Sequence, residues 1–213
     1  MGARILITAG PTREYIDDIR FISNGSTGVM GLALADEAAR RGYEVTIVLG
    51  PTSLTPMYGV KVIPVVSSHE MTEKTLAELE YGYDILISAA ALGDYSPVKR
   101  IKGKIRSGKK TLIIRLKPTR KLIQEARKRH KKLRIVAFKA EYDKSPDEMV
   151  KEARKLLKVA DVVVANDVSK NVFGSNDTEA YIICDEVKCI PRMSKKDAAR
   201  RILDELQSIA RFS

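Results

Sequence analysis

Cysteine and histidine are scarce in this 213-residue chain, with two of each. Cys184 and Cys189 have neither the spacing of a zinc site nor that of a CxxC redox pair, so small, buried or half-buried residues are the plain reading. His69 and His130 lie far apart without a neighbouring cysteine, which argues against a histidine-based metal site. Aromatic residues make up only 6% of the chain and form no visible stacking platform for single-stranded nucleic acid. No apolar run approaches the roughly 18 residues that a membrane helix requires. The opening MGARILITAG lacks a secretory layout, because its apolar stretch is short and continues as a plausible strand. The expected location is the cytoplasm.

Several catalytic signatures are also missing. No GxxxxGK[ST] occurs, which excludes a P-loop kinase, and neither GxSxG nor a Ser/His/Asp set points to a hydrolase. A dinucleotide fold is disfavoured too. Its glycine fingerprint should follow the first strand directly, yet residues 11–24 intervene, and the second strand ends Val48-Leu49-Gly50 without the acid that would bind a ribose.

What is present is organised around residues 21–31, FISNGSTGVMG. Gly25, Gly28 and Gly31 recur every third residue among Ser23, Asn24, Ser26 and Thr27, and apolar Leu32, Ala33, Leu34, Ala35 and Ala38 follow. A glycine-relieved polar loop that runs into a helix lets backbone N–H groups approach an anion, so the stretch is a candidate phosphate cradle. The net charge of +11 implies anionic partners without naming them.

Around this loop, short apolar runs alternate with helical patterns. Residues 4–9, 44–49, 60–65, 84–88, 134–138 and 161–165 read as strands, most of them buried on both faces. Pro64 places the third of these at or near an edge. The spacing predicts helices over 28–41, over 69–79 with Ser68 as N-cap, over 119–129, over 145–158 from a Ser-Pro-Asp-Glu start, and over 194–211. A further strand is expected at 111–116, and 179–184 with 187–190 form a hairpin. With no internal repeat or linker, the expected architecture is one α/β domain over residues 1–213, a Rossmann-like three-layer sandwich with a mostly parallel central sheet and a C-terminal β-hairpin addition.

In such a fold ligands gather at the carboxyl ends of the strands. There the sequence puts Ala89-Ala90-Ala91-Leu92-Gly93-Asp94, either a nucleotide pocket with a carboxylate or a tight turn with a solvated Asp. Residues 97–108 carry Lys99, Arg100, Lys102, Lys104 and Arg106 and read as a mobile basic flap over an anion, or as a solvated basic loop. Phosphate cradle, carboxylate, basic flap and the exposed amide of Asn24 together suit nucleotidyl transfer. The competing reading is a nucleic-acid binder using the basic stretch 117–134, for which a solvated helix is the simpler explanation.

The ordered motifs Gly10-Pro11-Thr12-Arg13-Glu14, Ile22-Ser23-Asn24-Gly25-Ser26-Thr27-Gly28-Val29-Met30-Gly31, Ala91-Leu92-Gly93-Asp94-Tyr95, Ala137-Phe138-Lys139-Ala140-Glu141 and Ala165-Asn166-Asp167 resemble those of the phosphopantothenate–cysteine ligases of coenzyme A biosynthesis. The resemblance spans nearly the whole chain. It implies that phosphopantothenate attacks CTP to give an acyl-cytidylate and pyrophosphate, and that L-cysteine then displaces CMP, with magnesium accompanying the triphosphate. It implies catalytic roles for Asn24, in handling the acyl-cytidylate, and for Lys104, in stabilising charge. The family's Lys-x-Lys-Lys continues here as Ile105-Arg106-Ser107. Nucleotide contacts are implied at Gly10, Ser26, Ser88, Ala89, Ala90, Asp94, Lys104, Thr119, Arg120, Lys121, Leu122, Phe138, Arg154 and Lys158, with no side chain assigned to the metal. A homodimer using the hairpin at 179–190, and a separate or fused flavin-dependent phosphopantothenoylcysteine decarboxylase, complete the implied partners. Neither membrane nor nucleic acid is among them.

Overall fold

The computed structural model describes residues 3–57, 59–108, 110–169 and 175–208. Its centre is an eight-stranded sheet of order β12 (Val187–Ser194), β11 (Asp177–Ile183), β10 (Val162–Asp167), β9 (Arg134–Glu141), β6 (Ile85–Ser88), β1 (Arg4–Ala9), β4 (Glu44–Leu49) and β5 (Lys61–Pro64). From β10 to β5 the neighbours pair in parallel. Central β1 is buried over Ile5–Ala9, which is why its sequence is a continuous apolar run rather than an alternation. Strand β5 is the outer edge, where Pro64 costs no ladder hydrogen bond.

Helices cover both faces, as the strand–helix alternation predicts. On one face α1 (Val29–Arg40) and α5 (Lys195–Ser208) bury Leu34, Ala35, Ala38, Ala198, Ala199 and Ile202 against the sheet. On the other face α2 (Ser68–Leu79), α3 (Leu122–Arg129) and α4 (Pro146–Arg154) contribute Met71, Leu76, Leu122, Ala126, Met149 and Ala153. The Ser145 capping box forms as the sequence predicts, with Glu148 closing it, and a 3-10 turn at Lys155–Lys158 finishes that helical segment.

The expected C-terminal hairpin forms from β11 (Asp177–Ile183) and β12 (Val187–Ser194), and β11 joins it to the main sheet by pairing antiparallel with β10. The structure corrects several other sequence expectations. Residues 111–116 do not form a strand. Only β8 (Leu116–Pro118) pairs, with β7 (Tyr95–Pro97), and Ile113 is 82% exposed because no layer lies over it. The excursion over residues 11–24 contains the small hairpin of β2 (Arg13–Tyr15) and β3 (Phe21–Ser23). Helix α3 starts at Leu122 rather than 119. The α2 cap is Ser67, whose Oγ accepts the Glu70 N–H, while Ser68 turns inward to Glu14. The expected end of the last helix at 211 lies outside the described residues.

Candidate functional site

Strand β1 is followed by α1 and β4 on one side, and the chain later returns to place β6 on the other side of β1. At this switch point the loops that leave β1 and β6 diverge, and an open α/β sheet holds its ligand crevice there. A cavity of about 490 Å³ occupies this rim and runs along the carboxyl ends of β6, β9 and β10.

One wall is the glycine loop. Gly28 sits at φ 82° as the N-cap of α1 and makes no side-chain cap, and the first turn carries no acidic residue. The first-turn N–H groups therefore lack a competing anion. Gly31 lets the helix lie against β1: a Cβ there would come within 2.4 Å of Ala9 Cβ. Ser26, Thr27, Gly28, Val29, Met30 and Gly31 all line the cavity. Gly10 is not on the wall but packs beneath it, with its Cα 3.1 Å from where a Gly28 Cβ would stand.

The opposite wall comes from residues 88–94 and 119–123. Ser88, Ala89, Ala90 and Asp94 line the cavity, facing Thr119, Arg120, Lys121 and Leu122. Hydrogen bonds knit these two segments together: the Thr119 N–H donates to the Asp94 carbonyl at 2.9 Å and Thr119 Oγ1 to the Gly93 carbonyl at 2.7 Å. Lys121 Nζ lies 2.6 Å from Asp94 Oδ1. The guanidinium of Arg120 is held between Glu73 and Glu125, and its hydrogen bond keeps the Glu125 carboxyl below the ordinary range. Phe138, half-buried at the floor, faces the same space as Ser88 and Asn166.

Asn24 joins the two walls. Its Nδ2 donates to the carbonyls of Ala91 and Leu92, each at 3.1 Å. Two carbonyl oxygens can only accept, so the amide nitrogen must face them and Oδ1 is left as the open polar atom.

Beneath the 91–94 loop is a buried network that sequence reasoning missed. The Gly93 N–H donates to Thr12 Oγ1 at 2.9 Å, the Thr12 and Ser68 hydroxyls are 2.8 Å apart, and Ser68 Oγ donates to Glu14 Oε1 at 2.7 Å. The bonds can all point one way, from Gly93 to the Glu14 carboxylate, so that each polarises the next. Gly-Pro-Thr-Arg-Glu following a buried strand was the available signal.

The basic flap departs from expectation over residues 100–105, where it is docked. Ile105 is buried and its N–H donates to Asp17 Oδ2 at 3.0 Å, while Gly103 bonds Asp18 through both its N–H and its carbonyl. Arg100 pairs with Asp18 and lies over the Tyr15 ring. Burial opposes charge on Asp17, yet the N–H groups of Arg20, Ile105 and Ile19 and the Arg20 guanidinium outweigh it and hold that carboxyl far below the usual range. Asp18 is lowered by the Gly103 N–H and by Arg100. Lys104, exposed between these anchors, is not on the cavity wall.

Arg154 and Lys158 are not on it either. A helix linking the parallel strands β9 and β10 runs back to the amino ends. Lys158 therefore lies at the rim opposite the cavity, near the Asp161 N–H that donates to the Ile135 carbonyl.

Lys139, Asn166, Thr178 and Lys195 complete the cavity beyond the expected set. The signal for Lys195 was topological. Because β11 reverses and β12 reverses again, β12 runs with the parallel strands and delivers the first residue of α5 to the same rim as α1. Among the described residues no group of three or more His, Cys, Asp or Glu gathers as a metal centre, and no helix is long and apolar enough to cross a membrane.

A family model described as the DNA/pantothenate metabolism flavoprotein C-terminal domain matches residues 1–209. The coenzyme A biosynthesis bifunctional protein CoaBC of Thermococcus kodakarensis is 40% identical over 212 residues, which cover 98% of this chain and 52% of that protein. The chain thus spans about half the length of the curated relatives it matches. Among solved structures, the C-terminal domain of a CoaBC protein is 32% identical with a TM-score of 0.80, covering 98% of this chain and 96% of that one. A DNA/pantothenate metabolism flavoprotein from Streptococcus pneumoniae superposes with a TM-score of 0.86 at 25% identity, over 97% of this chain and 99% of its own.

Proposed function

The chain belongs to the family of the DNA/pantothenate metabolism flavoprotein C-terminal domain, and on that premise we propose that it is a ligase joining phosphopantothenate to L-cysteine at the expense of CTP. The observation that carries this reading is one cavity at the switch point, where the uncapped N-terminus of α1, Asn24, Asp94 and Phe138 meet.

The chemistry is a two-step activation. A carboxylate oxygen of phosphopantothenate bonds to the α-phosphorus of CTP as the bond to the bridging oxygen breaks, and pyrophosphate leaves. The amine of cysteine then bonds to the acyl carbon, CMP leaves with the former carboxylate oxygen, and the new amide nitrogen loses a proton. The glycine loop supplies N–H groups for the phosphates. Phe138 and Ser88–Ala90 offer an apolar floor for the nucleoside, and the Lys121–Asp94 pair borders it. Asn24 Oδ1, an acceptor at the mouth, suits the N–H of the attacking amine. Magnesium on the triphosphate would neutralise phosphate charge.

A homodimer belongs to the proposal. Exposed Tyr95, Val98, Ile113 and Leu116 give residues 95–116 an apolar surface, whereas Val187 is the only exposed large apolar residue of the described hairpin. The apolar arm, rather than the hairpin at 179–190, is therefore the dimer face, and Lys104 beside it would serve a site completed by the second copy. The remainder of the relatives' length corresponds to the flavin-dependent decarboxylase, fused or separate, and the setting is cytoplasmic.

The basic stretch 117–134 lends little to a nucleic-acid reading. Arg120, Lys121, Arg127 and Arg129 are all engaged with carboxylates. The deciding assay follows pyrophosphate release from CTP on addition of phosphopantothenate, then CMP release on addition of cysteine. Absence of cysteine-dependent CMP with any nucleotide would sink the ligase reading.

A further inference from the structure

We propose that Lys195 is the cavity's anchor for the pyrophosphoryl group of the bound nucleoside triphosphate. The inference rests on the nucleotidyl-transfer reading above and names a residue that the family resemblance did not supply.

Four cationic side chains line the cavity, and three are already committed: Arg120 to Glu73 and Glu125, Lys121 to Asp94, and Lys139 to Glu141. Lys195 has no carboxylate partner among the described residues. It is half-buried on the cavity wall, and the acid on its own helix turn, Asp197, is taken by Ser194 and Arg200. Burial with no compensating carboxylate lowers its pKa below the ordinary lysine value. An unpaired ammonium half-removed from water is a cost that an arriving anion removes.

Its place in the fold selects which anion. Helices α1 and α5 pack side by side on one face of the sheet, and their first turns share the cavity rim, so Lys195 stands across from the glycine loop. The Asp94–Lys121 pair lies on the other wall, where a second phosphate would meet a carboxylate. A polyphosphate fits the side with N–H groups and a free cation. During cytidylyl transfer, electrons of the breaking bond between the α-phosphorus and the bridging oxygen pass to the pyrophosphate. Its growing negative charge is met by Lys195 through N–H···O bonds, with no proton exchanged.

The test measures binding of inorganic pyrophosphate and, separately, of CMP to the full chain by calorimetry in magnesium buffer. Wild type, Lys195→Met and Lys195→Arg are compared. Lys195→Met should weaken pyrophosphate about tenfold or more and flatten its salt dependence while CMP binds as before. Lys195→Arg should stay within a few fold of wild type. Thermal unfolding of Lys195→Met should come no lower than wild type, because no ion pair is broken and the cost of a half-buried charge is removed. Unchanged pyrophosphate affinity in Lys195→Met, or equal loss of CMP and pyrophosphate, overturns the assignment. If pyrophosphate binding depends on Lys195 yet the wild type makes no CMP from phosphopantothenate and cysteine, the ligase reading fails and the polyphosphate site stands.

Discussion

Asn24 is exposed, yet its orientation is fixed by what lies opposite. With both Nδ2 hydrogens directed at Ala91 and Leu92, the side chain fastens the glycine loop to the loop that carries Asp94. Asn24→Asp replaces two donors with a carboxylate facing two carbonyl oxygens, a repulsive pairing that turns the side chain away and withdraws its acceptor from where the cysteine amine would sit. Cysteine-dependent CMP release should fall by about tenfold or more, roughly the value of one or two hydrogen bonds. Phosphopantothenate-dependent pyrophosphate release should change by only a few fold, and rapid-quench separation of the two half-reactions checks this. Equal loss in both would assign Asn24 to shape alone. The sequence pointed to this residue through its place in a polar loop before a helix, but it could not say which end of the amide is free. That depends on backbone carbonyls from residues far along the chain.

At the level of elements, legibility followed burial. Strands β1 and β4 begin and end where the sequence predicts, because a strand covered on both faces must be apolar throughout. Residues 111–116 are as apolar but have no layer to face, so their composition misled. Arg154 and Lys158 lie away from the cavity because a helix between parallel strands carries its last turn to the opposite rim. The close contact of α1 with β1 makes Gly31→Ala an overpacking change, expected to cost about 1–3 kcal/mol in thermal or denaturant unfolding. The docked arm yields a pH prediction. Asp17 and Asp18 have depressed carboxyls, so their hold on residues 103–105 is complete above the unfolded carboxylate value of about 3.9 and is lost as pH falls through the lowered folded values. Hydrogen exchange at the Ile105 amide should accelerate in that acid window, and Asp17→Asn should show the fast exchange already at neutral pH. Protection unchanged in Asp17→Asn would contradict the latch.

For the molecule as a whole, titration should bound the folded state on both sides. Burial and the Glu78 contact push the Tyr83 hydroxyl up to about 12 from 10.0, so the fold favours the neutral phenol, and this stabilisation, full below 10.0, is lost as pH rises toward about 12. Melting temperature should drop across that interval in wild type and much less in Tyr83→Phe. On the acid side Glu37 and Glu78 are opposed by burial but lowered on balance by Arg40 and Arg41 and by Lys61 and Tyr83. Their contribution persists above the unfolded value of about 4.3 and fades below it. The α/β class and the rim that carries the cavity were readable from the alternation of strands and helices, whereas the closing hairpin reads locally and reveals its direction only in the assembled sheet. That direction bears on synthesis. The glycine loop and Lys195 face one cavity from opposite ends of the described chain, so during translation the first wall is made long before the last. A ribosome-bound chain that has not yet released β12 and the start of α5 holds half a cradle and a sheet whose β11 edge is still uncovered. On the proposed reading, a triphosphate adds its binding energy to folding only after the start of α5 has emerged.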